Sequence, residues 1–394
     1  MGGSSFTESG ETLTIDITNA AIVKNGETIS STELAVDDVV QVTFDDSGSA
    51  ATVEIVSGGK GGGFGGSSQV TQGDSANTIS EDGTYTDTTY TSTGDDENAL
   101  RVDGAAVTLD GITVDKSAGA TSNTENGDFY GVNAALLATN GADVTITNAR
   151  VTSSAQNGNG VFSYGSGTTV NISNSVITTT ANNSEALVIE GKNSIVLENC
   201  DVTGNMSDTK GSSSEENVHN VMIYQSMSGD ADVGTSTFSM TGGTLTARNG
   251  DMIYVTNTHC VLTLSGVTLK NEDADGVLLR VVGNSASHGW GTAGSNGAQV
   301  AFTADGQVLT GDIVVDTIST LDMTLTNGST FTGTISIIDN AQGGTAVSDN
   351  AVVTIDSGCT WTLTGNCTLT SLTNNGTINF NGYTITLADG TVLQ

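Results

Sequence analysis

Five aromatic side chains and five carboxylates are the residues of this chain whose types and spacing point to chemistry. Tyr130, Tyr164, Tyr224, Tyr254 and Trp290 stand in a sequence with only 5% aromatic residues, and Trp290 lies in a stretch of Gly, Ser and Ala with little to bury it. Exposed rings of this kind are platforms for the apolar C–H faces of sugars, whose hydroxyls are met by Asn, Asp and Thr; the alternative is that they fill the corners of a fold. Asp230 with Asp232, and Glu272, Asp273 and Asp275, resemble the oxygen-rich loops that hold calcium, but neither run continues to the distal Glu of an EF-hand. Asp95, Asp96 and Glu97 form a weaker version, and solvated surface charge is the default for all three clusters.

The elements that must position these residues come from a repeat. Val107, Leu109, Gly111 and Val114 set a pattern of alternating apolar residues, a Gly or Asn corner and a second apolar stretch. It returns at Val144, Val170, Ile195, Phe238 and Leu262, with a looser copy at Val300. The closest copies are 24, 25 and 26 residues apart, and spacings of 37, 38 and 43 are the same turn carrying an insertion. One such turn cannot bury its own apolar face, so the period predicts a solenoid. The expected fold is all-β: a right-handed parallel β-helix over residues 78–394, preceded by a small N-terminal β-sandwich or partial barrel over 1–57 and a Gly-rich linker over 58–77. Ten to twelve turns at about 4.8 Å make a rod on the order of 50 Å. Asn148, Asn174 and Asn199 hold the corner in three consecutive copies, where stacked amides can pass hydrogen bonds between turns and tolerate left-handed backbone. The N-terminal unit is a plausible cap for an open sheet edge. Insertions at 115–133, 204–220, 225–236 and 284–298 form one rough face if they leave from a single corner.

Catalytic parts are sparse. A hydrolase on such a rod needs carboxylates on neighbouring turns, and only Asp95 and Asp96 hint at this. A calcium-dependent polysaccharide lyase of the pectate type needs a Lys or Arg base beside bound calcium, and the ten basic residues are scattered. Lys192 and His259 each lie three residues ahead of a repeat strand. Ranks of outward Thr, as in an ice-binding face, are broken in the first six copies by Asp110, Val196 and Glu198.

Composition narrows the classes further. Absence of proline leaves every main-chain N–H available to a ladder, and 51 Gly with abundant Thr, Ser, Asn and Val favours short strands over helices. Forty-four acidic against ten basic residues give a net charge of −34, which disfavours nucleic acid and anionic membrane surfaces. No apolar run is long enough to cross a bilayer, and the first residues lack the features of a signal peptide, so an exported protein would have lost its targeting segment. Cys200 and Cys260 read as buried thiols, whereas Cys359 and Cys367 could pair across one turn in an oxidising compartment.

The stretches beginning at Tyr130, Asn159 and Val221, with the ending around Trp361 and Asn381, resemble repeat-rich surface proteins of anaerobic gut bacteria of the clostridial type. The likeness covers roughly residues 95–390. It implies an extracellular or cell-surface, adhesin-like protein whose partner is a polysaccharide or host glycan, with calcium as the implied ion and no catalytic motif to carry over. The expected molecule is a non-catalytic, monomeric carbohydrate binder or adhesin. A pectate-type lyase and a stalk or filament subunit associating end to end are the alternatives.

Overall fold

The computed structural model describes residues 14–24, 27–30, 39–45, 49–57, 72–165, 167–181, 184–205, 219–226, 234–283, 294–340 and 343–394. The chain divides into two compact units, Met1–Gly61 and Gly62–Gln394. In the first, Ala21–Lys24 pairs parallel with Ala50–Ser57 and antiparallel with Glu27–Ile29, and Val39–Phe44 closes the opposite edge. The described residues of this unit form one four-stranded sheet. Residues 14–17 are irregular.

The second unit is a parallel β-helix. Each turn contributes a strand to three faces. The first face has ten strands, from Thr78–Ile79 to Ile335–Ile338, and the second has eleven, from Gly83–Thr86 to Ser371–Asn374. The third has seven, from Thr89–Ser92 to Thr268–Asn271, followed by four more from Val308–Thr310 to Thr377–Asn379. Eleven strands on the second face agree with the turn count expected from the repeat.

Like residues sit over like. Val107, Val144, Val170, Ile195, Phe238 and Leu262 form one inward column of the second face, and Leu109, Ile146, Ile172, Leu197, Met240 and Leu264 form the next. All twelve are buried, and each contributes roughly 1.5–3 kcal/mol by leaving water. The corner between the second and third faces holds Gly111, Asn148, Asn174, Asn199 and Gly242, all with φ between 48° and 65°. Glycine meets that requirement for lack of a Cβ, and asparagine is the side chain that tolerates it best. Main-chain bonds link the turns at this corner: the N–H groups of Asn148, Asn174 and Asn199 donate to the carbonyls of Ser173, Glu198 and Thr241 of the next turn at 2.9–3.1 Å. The expected amide ladder is replaced at its start by a carboxylate, since the Asn148 amide donates to Asp110 at 2.8 Å.

One helix, Thr124–Tyr130, occurs among the described residues. All four cysteines are buried free thiols. Cys359 and Cys367 do not pair, because Cys359 precedes the third-face strand Thr360–Thr362 while Cys367 opens the strand Cys367–Leu369, which packs against the first-face strand Ile335–Ile338. No described helix is long and apolar enough to cross a membrane.

Candidate functional site

Strands of the first face differ from the others in their sequence. Leu136–Thr139, Leu187–Glu190 and residues 221–224 of the strand His219–Tyr224 are nearly unbroken apolar runs, whereas second- and third-face strands alternate. An unbroken run means that both sides of the strand are covered. The outward column of this face confirms it: Leu137, Phe162, Val188, Met222 and Tyr254 lie in register on successive turns, each at most 2% exposed. They form a second hydrophobic cluster with Phe129, Tyr130, Tyr164, Tyr224 and Val282, separate from the solenoid interior.

The cover over the early turns is the helix. Phe129 meets Tyr224 edge-on at 5.6 Å, and Tyr130 meets Tyr164 at 5.7 Å. The Tyr224 hydroxyl donates to the carbonyl of Phe129. Asp128 accepts a hydrogen bond from the Asn157 amide at 2.6 Å, and Asn159 donates to the carbonyl of Gly127 at 3.2 Å. A Cβ on Gly127 would fall 1.6 Å from Asn157 Oδ1, so any side chain there would displace the Asn157 amide from Asp128.

A polar ladder borders this apolar stripe. Asn159 Oδ1 accepts from the main chain of Glu185 at 2.9 Å, Glu185 lies 3.0 Å from His219 Nε2, and His219 sits in register with Asp251. Asp251 binds Arg280 at 2.5 Å. The His219 ring stacks on Tyr254 at 4.7 Å, and burial raises the Tyr254 phenol well above its usual range. Glu185, His219 and Asp251 are buried, and the Glu185–His219 contact and the Asp251–Arg280 ion pair each cross-link adjacent turns.

The structure therefore corrects the reading of the tyrosines as exposed sugar platforms. Tyr130, Tyr164, Tyr224 and Tyr254 share one cluster on the first face but are 0–2% exposed, packed with one another and with the helix Thr124–Tyr130. Trp290, Asp230 and Asp232 lie outside the described residues. The other carboxylates do not converge. Asp273 closes its own corner, accepting from Gly250 N at 2.6 Å and Asp275 N at 3.0 Å, and the Gly250 bond holds its carboxyl below the usual range. Glu272 lies 3.9 Å from Arg248, both more than half exposed, and Asp275 is exposed. Among the described residues no group of three or more His, Cys, Asp or Glu is arranged to hold a metal ion.

The insertions leave from two corners, so the condition for a single rough face is not met. Those at 115–133 and 204–220 precede first-face strands, and those at 225–236 and 284–298 follow them. A further one at 339–350 also follows a first-face strand and escaped the repeat analysis because the tail changes wording. Sequence reasoning also missed Lys116, buried beside the acidic loop 95–97. Its amine donates to Ser92 Oγ at 3.1 Å and to the carbonyl of Gly94 at 2.5 Å.

These features define a parallel β-helix with one elaborated flank. Comparison of the chain with protein-family models, with curated proteins and with solved structures finds no match.

Proposed function

We propose that this protein is a secreted or cell-surface β-helix that binds carbohydrate or acts as an adhesin, without catalysing a reaction. The observation that carries this reading is the asymmetry between faces. The second and third faces turn Thr, Ser, Asn and Asp outward, as a rod needs for solubility. The first face instead carries a second apolar core that anchors a helix and is bracketed by insertions on both sides. A scaffold that devotes a core to holding loops carries its function in those loops. A charge of −34 favours uncharged glycans over acidic ones.

A glycan array with and without calcium tests the proposal. Binding to neutral plant-wall or mucin-type glycans is the expected result, and silence across them would leave the stalk reading. Loss of signal on chelation would add calcium as a cofactor; an unchanged signal would remove it.

A further inference from the structure

The geometry points to a binding groove for a short stretch of neutral polysaccharide on the second face, beside the described residues 343–350 that follow the last first-face strand. This inference rests on the carbohydrate-binding reading and adds its location. The groove has a volume of about 550 Å³. Its floor consists of two outward columns of the second face. Val261, Ala301, Asp322 and Val352 form one, and His259, Gln299 and Thr320 form the other. Register stacking places these side chains at the inter-strand spacing of about 4.8 Å, so the floor repeats along the solenoid as a linear polymer repeats along its chain.

The chemistry is that of a sugar subsite. Val261 is 43% exposed, a large apolar surface on the outside of the second face. With Ala301 and Val352 it gives an aliphatic floor for C–H faces. The Gln299 amide, the Asp322 carboxylate and His259 are exposed on the same floor and suit hydroxyl groups. Asp322 and Asp349 face the groove with His259 as the one basic residue among those lining it, which selects against acidic sugars.

The wall is built and anchored. Ser348 and Asp349 come from the insertion at 339–350. Val347 N donates to the carbonyl of Thr317 at 2.9 Å, and the Asn350 amide donates to the carbonyls of Thr317 and Ser319 at 3.0 and 2.8 Å. Gly344 packs its main chain against Gly294 of the preceding insertion so closely that a Cβ would fall 2.0 Å from the Gly294 carbonyl oxygen. Two insertions thus brace each other beside the groove, and glycine at both positions permits it. His259, which the repeat column had set apart, finds its place here.

The test uses the full chain. Neutral oligosaccharides retained on the array, with cellohexaose, xylohexaose and mannohexaose as soluble probes, are titrated into wild type, Ala301→Arg, Gln299→Ala and Thr332→Arg. The first variant fills the floor, the second removes one hydrogen-bonding group, and the third is a control on the third face. Ala301→Arg is expected to weaken binding at least about tenfold and Gln299→Ala severalfold, with Thr332→Arg unchanged. Circular dichroism and thermal midpoint establish folding; if Ala301→Arg misfolds, Gln299→Ala decides. Wild-type affinity in the groove variants overturns the groove and leaves carbohydrate binding standing. A wild type that binds no neutral glycan overturns both.

Discussion

Asn174 and Lys116 show how single residues are constrained by the stack. Asn174 has φ of 48° at a corner where the main chain must turn left-handed. Asn174→Ala is expected to lose about 1–2 kcal/mol, and Asn174→Gly to stay within a few tenths, in urea titrations. Equal losses would mean that the side chain matters more than the backbone. Lys116 follows Val114 at the inward parity of its strand, so its burial was readable from alternation alone. Burial pushes its amine from 10.5 down to about 8, against the pull of Glu97, Asp95 and Asp96. Between those values the unfolded chain binds more protons than the folded one, so stability rises with pH through that window as the buried ammonium loses its proton. Relative to Lys116→Met, wild type should gain about 2–3 kcal/mol from pH 8 to 10.5 in urea unfolding. A difference independent of pH would contradict the buried amine.

At the scale of elements, the two cores separate experimentally. Phe162→Ala removes an outward ring from the covered first face, and Ile172→Ala removes an inward side chain from the second. The first should cost about 3–5 kcal/mol and the second about 2–5 kcal/mol. Only Phe162→Ala should expose the helix Thr124–Tyr130, read as faster proteolysis within 115–133 under native conditions. Equal protection in both variants would mean that the helix does not depend on the outer core. The inner columns were legible because apolar residues recur two apart and copies recur at a fixed period. The outer core was not, because its cover comes from residues distant in sequence: Phe129 bridges to Tyr224, 95 positions away. Its signal was nevertheless present in the unbroken apolar runs ahead of each copy, which a strand with one wet side does not need. Isolated tyrosines carry no such information, since exposed and buried rings look alike in a sequence.

For the solenoid as a whole, stability is a sum over neighbouring turns, and every face depends on the same register. The period located the strands, the corner residues and the turn count. It could not tell which carboxylates close corners: Asp273 reads as a metal ligand by spacing but is committed to Gly250 one turn earlier, a contact visible only in three dimensions. The groove depends on register too, since His259, Gln299 and Thr320 are 40 and then 21 residues apart in sequence and adjacent on the floor. Pulsed electron–electron spin resonance tests that register most directly, with nitroxides on Thr108 paired with Thr263 in one sample and with Thr354 in another. Thr263 lies five turns and Thr354 eight turns from Thr108 in the same outward column. Stacking predicts distances of about 24 and 38 Å, growing in proportion to the number of turns. Two distances that fail to scale with turn number would contradict the parallel stack and, with it, the covered face and the groove.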